Sequence, residues 1–183
     1  MRGRGSMERV ATMPGELTNL TSSPLTETVA SLRLNLNREF QPCPVEESDE
    51  AFPNGIFEFN ITRLLAFIDA HAERFPIYLM AVADIPDYGG SRLDEQAVHS
   101  ADLLRPVLLA EIAPGRYSLI DGNHRIGKAR LDGAPTIPAR RVSCPEHVPF
   151  LTSTFAYEKY VEYWNSKLPE IRSAAQPRNS RRV

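Results

Sequence analysis

Tyr117-Ser118-Leu119-Ile120-Asp121-Gly122-Asn123-His124-Arg125-Ile126-Gly127-Lys128-Ala129-Arg130 is the stretch on which the reading of this chain turns. It reads as strand, tight turn, helix. Gly122 accepts backbone angles that other residues resist and lets a ligand approach the main chain. The first N–H groups of the helix that follows have no intrahelical partner, and the helix dipole adds about half a positive charge there. Such an end suits an anion, phosphate above all. His124 and Arg125 fall on that first turn. A guanidinium grips phosphate oxygens with two parallel bonds, and an imidazole adds a donor. Lys128 lies four residues beyond His124 on the same helical face, placed to extend a cationic wall. Gly122, Asn123, His124, Arg125 and Lys128 are therefore the candidate phosphate-binding residues. The one acid at this corner is Asp121. A carboxylate beside a phosphate is repelled unless a metal or a transferable proton sits between them, which makes Asp121 a candidate Mg²⁺ ligand or general base. The plainer alternative is an Asp that caps the helix, within a turn that merely starts a surface-charged helix.

Working outward, Val107 to Ile112 and Arg116 to Ile120 are two apolar runs joined by Ala113-Pro114-Gly115-Arg116. Pro before Gly in the central turn positions suits a type II turn, so the pair reads as a β-hairpin. After the motif helix, Gly133 is a stop and Ile137 to Val142 returns as a strand. Pro138 lacks a donor, so this strand is expected at a sheet edge or to begin there. Arg140 and Arg141 point to opposite faces of it, one of them toward the phosphate corner. Upstream, Ile61, Leu64, Leu65, Ile68, Ala72 and Phe75 recur at helical spacing, with Asn60 as N-cap and Pro76 as stop. Ile77 to Val82 is expected as a buried strand, and Leu93, Ala97, Ala101 and Leu104 mark a further helix. Ser31 to Asn37 alternates apolar and polar like a half-buried strand. Pro42 to Pro53 is an acidic loop. Tyr157, Tyr160, Val161, Trp164 and Leu168 give a closing amphipathic helix whose aromatic stripe suits core packing.

Composition narrows the function classes. The 183 residues fit one domain; 42% are apolar, 24% are charged, and the net charge is −2. That balance argues against attraction of nucleic acid or anionic membrane over the whole surface, though not at a local basic patch. No window of 18 residues is apolar and uncharged, so no spanning helix and no membrane partner are expected. Cys43 and Cys144 are too few for a disulfide scaffold, which points to the reducing cytoplasm. Cys144 and His147 sit three apart, but no second ligand pair accompanies them as a zinc site requires. Residues 1–28 read as a flexible arm, 29–170 as one domain, and 171–183 as a flexible basic tail.

The segment from about Ile77 to Val142 resembles the ParB/sulfiredoxin-like superfamily. The residues that carry the likeness are Leu103-Leu104-Arg105-Pro106-Val107-Leu108-Leu109, then Gly115 to Arg125 through the Asp-Gly-Asn-His-Arg turn, then Ala129-Arg130-Leu131-Asp132-Gly133 and Thr136-Ile137-Pro138-Ala139. The resemblance covers about a third of the chain. It implies an α/β (α+β) fold with a small mixed sheet and helices, and nucleotide phosphates bound at the turn. The nucleotide expected is ATP, ADP or CTP, with Mg²⁺ a candidate cofactor. Sulfiredoxins place a nucleophilic Cys where this chain has Asn123, and an amide has no thiolate chemistry, so sulfinic-acid reduction is not expected. Asp121, Gly122, His124 and Arg125 are similar to the turn of free-serine kinases, in which an acid from an earlier loop assists phosphoryl transfer; Asp84 or Asp87 occupies that loop here. The resemblance thus implies a nucleotide-binding protein and a candidate Mg-dependent phosphotransferase or nucleotide hydrolase. The alternative is a DNA-associated accessory or regulatory protein of plasmid or phage type, in which the same corner holds a DNA phosphate.

Overall fold

The computed structural model describes residues 31–54, 57–85 and 93–175. The expected arm, Asp87 and the end of the expected basic tail lie outside them. Two strands come first, β1 (Ala51–Asn54) and β2 (Phe57–Asn60), then α1 (Ile61–Ala70), a 3-10 turn at Ala72–Arg74, and β3 (Tyr78–Ala81). After a second 3-10 turn, Val82–Asp84, come α2 (Glu95–Ser100), β4 (Val107–Ala113), β5 (Arg116–Asp121), α3 (Asn123–Leu131) and β6 (Thr136–Val142). The chain closes with the short α4 (Cys144–His147), a 3-10 turn at Val148–Phe150, and the long α5 (Thr154–Ala175). This is an α+β fold on a mixed four-stranded sheet in the order β3-β6-β4-β5. β4 and β5 form the expected hairpin, with Gly115 at φ 71° in its turn. β4 and β6 run parallel, with α3 in the crossover between β5 and β6.

Side chains alternate across the sheet, and each face has its own core. On one face Leu108, Ala110, Ile120 and Val142 pack with Phe59, Ile61, Leu64, Ile68, Tyr160 and Trp164 from β2, α1 and α5. On the other, Val107, Leu109, Leu119, Ile137 and Ala139 meet Ile126 and Ala129 of α3, with Val82 and Ile85. Burial on both faces explains why Val107-Leu108-Leu109-Ala110 is an unbroken apolar run. The closing helix packs as its aromatic stripe predicts: Tyr157, Tyr160, Val161, Trp164 and Leu168 are all buried. Asn60 caps α1 as expected, its side chain accepting from Arg63 N at 3.0 Å.

Four expectations are corrected. Ser31 to Asn37 forms no strand. It runs beside α5, where Asn165 Oδ1 accepts from Leu34 N at 3.0 Å and Asn165 Nδ2 donates to Leu34 O at 2.8 Å. One amide side chain does for Leu34 what a neighbouring strand would do, so the alternation records packing against a helix. The end of the acidic loop forms β1, paired antiparallel with β2. β3 is not buried: it lies at the sheet edge, with Leu79 72% exposed. β6, despite Pro138, is interior. Its ladder with β4 starts at Ala139, one residue after the proline, so the missing N–H falls outside the stretch paired on both sides.

Sequence reading missed one buried polar cluster. The carbonyl oxygen of Glu111 accepts from His147 Nε2 at 2.8 Å and from the Tyr160 hydroxyl at 2.7 Å. The Glu111 carboxylate accepts from Gly115 N and Cys144 N. One residue of β4 therefore ties the hairpin turn, α4 and α5 together. His147 is fully buried, and that burial pushes its pKa down to about 4; burial also pushes the Cys144 thiol up to about 11. Cys144 is thus a packing residue and not a nucleophile at neutral pH. A His held neutral in the fold but ordinary when unfolded binds more protons unfolded between pH 6.5 and 4. Its contribution is complete above pH 6.5 and disappears as the pH falls toward 4. Chemical denaturation across that window is expected to show a loss of about 3 kcal/mol from this group. His147→Asn is expected to flatten that part of the profile; an unchanged slope in the variant assigns the acid sensitivity elsewhere.

Candidate functional site

The corner at Gly122 is shaped by one ion pair. β5 ends at Asp121 and α3 begins at Asn123, leaving Gly122 as N-cap with φ 107°. That angle lies in the region other residues avoid. A Cβ on Gly122 would also stand 2.6 Å from Val107 Cγ1 and 3.0 Å from the Arg125 guanidinium. The guanidinium lies against Gly122 because it reaches back to Asp121: Arg125 Nη2 donates to Asp121 Oδ2 at 2.6 Å, with side chains only 10% and 16% exposed. The i, i+4 spacing of strand end and helix permits this pair only because the glycine leaves room.

This pairing changes the roles expected of two residues. Arg125 is not free to wrap a ligand, and Asp121 is not a loose carboxylate waiting for a metal or a proton. Lys128 builds no cationic wall: its Nζ donates to the Ala101 carbonyl oxygen at 2.9 Å and ties α3 to the end of α2. Asp84 closes the 3-10 turn after β3, exposed, and does not line the hollow described next. Among the described residues no group of three or more His, Cys, Asp or Glu side chains could hold a metal ion. The residues at the turn therefore do not fit a protein-built Mg²⁺ site.

The other half of the corner is open. Gly122 has no side chain to cap α3, and no side-chain hydrogen bond caps it. The helix starts at the edge of a hollow of about 460 Å³ lined by Asp121, Gly122, Asn123, His124 and Arg125. Its opposite walls are Phe52 of β1, Leu65 of α1, Ala97 and Ser100 of α2, and the flanking Glu50, Asp102 and Arg105. His124 is exposed and its side chain makes no hydrogen bond, ion pair or ring contact with a described residue, so its imidazole is free to meet a ligand. Arg105 is likewise exposed and without a side-chain partner among the described residues, as is the carboxylate of Glu50. Asp102 is partly engaged, accepting from Leu104 N at 2.9 Å.

Asp102 and Arg105 are the residues that sequence reading missed, and Glu50 is legible there only as part of the acidic loop. Asp102 and Arg105 lie about twenty residues before the turn and Glu50 about seventy, and no spacing rule links them to it. Their arrival alters the electrostatics: three carboxylates now face two guanidinium groups and one imidazole. The hollow is amphoteric, not uniformly cationic.

The ion pair is expected to be structural. Asp121→Ala leaves a buried guanidinium unpaired and is expected to cost about 3 kcal/mol in denaturant melts. Gly122→Ala, strained in φ and crowded against Val107, is expected to cost about 2 kcal/mol. Near-native melts for both variants would place the organising contact elsewhere.

Comparison with family models, with curated proteins and with solved structures finds no match for this chain.

Proposed function

We propose that the chain is a nucleotide-binding protein of the ParB/sulfiredoxin-like kind, holding a phosphate at the start of α3. The observation that carries this reading is the uncapped helix start opening on a hollow that also presents two unpaired cationic or donor side chains, His124 and Arg105. Free amides of the first turn, the helix dipole and an imidazole favour a phosphoryl oxygen there. Phe52 and Leu65 offer an apolar wall for a planar base, while Asp102 can accept from exocyclic amines or hydroxyls. A discrete ligand with an anionic end and a donor-rich end suits this mixture better than a DNA backbone, which presents phosphate alone.

The reading extends to phosphoryl transfer or nucleotide hydrolysis. Transfer needs donors around the phosphoryl group and a carboxylate free to orient or deprotonate the acceptor. Asp121 is committed to Arg125, whereas the Glu50 carboxylate is free, so Glu50 takes the role of base in this mechanism.

Thermal melts with ATP, ADP, CTP and GTP, with and without Mg²⁺, test the binding. A ligand at about 100 times its Kd is expected to add about 2.7 kcal/mol to the folded state. His124→Ala is expected to weaken that gain without lowering the melting temperature of the free protein, since its side chain supports nothing. No stabilisation by any of the four nucleotides removes the proposal. Glu50→Gln is expected to keep nucleotide affinity and to lose phosphate release; release at the wild-type rate removes Glu50 from the mechanism.

A further inference from the structure

The four-stranded sheet has two edges, and the fold treats them differently. At one, β5 begins at Arg116 and ends at Asp121, both held in ion pairs, and β1 packs beside it. At the other, β3 and its flanks carry no charge: from Phe75 to Ala83 the chain reads Phe-Pro-Ile-Tyr-Leu-Met-Ala-Val-Ala. Among the described residues no strand pairs with the outer side of β3. Edge strands are ordinarily guarded by a charge, a bulge or a covering element, because a free row of backbone groups recruits a further strand. β3 has no charge, and its ladder with β6 runs without a register shift. Ile85 and Leu93, which follow it, both sit at α3: the Ile85 carbonyl oxygen accepts from Arg130 Nη2 at 2.8 Å, and Leu93 lies against Gly127. Neither covers the edge.

The ladder fixes which backbone groups of this edge are unused. β3 pairs antiparallel with β6, Leu79 opposite Pro138 and Met80 opposite Ile137, and just beyond it Val82 N donates to the Pro135 carbonyl oxygen at 3.0 Å. Successive residues of an antiparallel strand alternate between bonding that neighbour and pointing away from it. Tyr78, Met80 and Val82 therefore bond toward β6. The Leu79 N–H and C=O, the Ile77 C=O and the Ala81 N–H point outward. Pro138 agrees with this phase, since opposite Leu79 no donor is needed. Ile77, Leu79 and Ala81 also share one face of the sheet, where Ile77 is 53% and Leu79 72% exposed. The free backbone groups and the free apolar side chains belong to the same residues.

We propose that β3 is the seam of a homodimer, pairing antiparallel with β3 of a second copy about a two-fold axis at Leu79. Residues that point outward must face one another across the seam, so Leu79 faces Leu79 and Ile77 faces Ala81 of the other copy. The two Leu79 residues exchange backbone hydrogen bonds, and each Ala81 N–H donates to an Ile77 carbonyl oxygen. Side chains of Ile77, Leu79 and Ala81 from both copies close into one apolar cluster on one face, and Tyr78 meets Met80 on the other. No cross-strand pair sets like charges together, so the strand is complementary to itself, as a two-fold contact requires. The flanking charges fit the same direction. Glu73 and Arg74 precede the strand and Asp84 follows it; antiparallel pairing sets each exposed Asp84 at the end where the other copy presents Arg74 and keeps the two Asp84 carboxylates apart. Two four-stranded sheets become one of eight. The seam lies at the opposite edge of the sheet from β5 and its turn, and the inference does not rest on the nucleotide-binding reading.

Sedimentation equilibrium of the full chain tests this. A small seam of this kind is expected to give a dimer with a Kd on the order of 10 µM. Leu79→Lys sets two ammonium groups against each other at the axis and is expected to weaken the dimer about tenfold or more. Leu79 is mostly exposed, so the melting temperature of that variant at high dilution is expected to match wild type. Phe155→Lys, a change at another exposed apolar residue on α5, is expected to leave the dimer intact. The register has its own readout. Directly opposed Leu79 residues have Cα atoms about 5.5 Å apart, within the span of a disulfide, so Leu79→Cys is expected to cross-link to itself on mild oxidation. Two Ile77 residues stand about 13 Å or more apart, four positions along the strand, and Ile77→Cys is expected not to. The native Cys43 and Cys144 are both buried and give little background. A wild type that stays monomeric at about 200 µM, twentyfold above the expected Kd, would overturn the proposal. So would a dimer that Leu79→Lys leaves intact, or a Leu79→Cys variant that does not cross-link.

Discussion

The guanidinium of Arg125, laid against Gly122 and bonded to Asp121, is the contact on which the rest of this architecture depends. It joins the end of β5 to the first turn of α3 across a single residue. With that angle fixed, Ile126 and Ala129 are turned onto the sheet face formed by Leu109, Leu119 and Ala139. The parallel crossover to β6 then follows, because a helix packed on that face delivers the chain back to the sheet beside β4. The same fixed angle aims the free start of α3 outward, into the hollow. Structure and site share one cause: the glycine that makes room for the arginine is also the residue with no side chain to cap the helix.

A buried ion pair of this kind contributes little net stability compared with a well-packed apolar pair, but breaking it is costly, because one charge is left behind. Its value here is geometric. It holds a cationic group and a helix end within one wall without presenting that cation loosely to solvent. The groups left to meet a ligand are those the fold does not use, namely His124, Arg105 and the Glu50 carboxylate. In the hollow these groups are of both signs, cationic and donor groups beside carboxylates.

Glu111 plays the corresponding part on the side away from the site. Its carbonyl and carboxylate oxygens take up a histidine, a tyrosine hydroxyl and two backbone amides from three separate elements. His147 and Tyr160 are chemically able groups, yet both are spent on holding α4 and α5 to β4. A reading that ranks residues by reactivity alone would have placed a site there. Burial and hydrogen-bond bookkeeping show a structural hub.

Local order in the sequence determined the β4-β5 hairpin, the glycine bend, α1 with its Asn60 cap and the aromatic face of α5, because each is set by residues within one or two turns of one another. Gly122 was legible for the same reason, as was the helix end it leaves open. What only the tertiary structure decided lies at longer range. Pro138 stands in an interior strand because β4 begins its pairing one residue later, and Ser31 to Asn37 alternates against a helix because Asn165 reaches its backbone. The partner of Arg125 was four residues away yet unreadable, since a side chain's direction depends on the space a folded neighbour leaves it. Glu50, and the neighbours Asp102 and Arg105, reach the hollow at the turn from distant parts of the sequence. Electrostatics at a site is a sum over neighbours in space, and neighbours in space are what the chain acquires by folding.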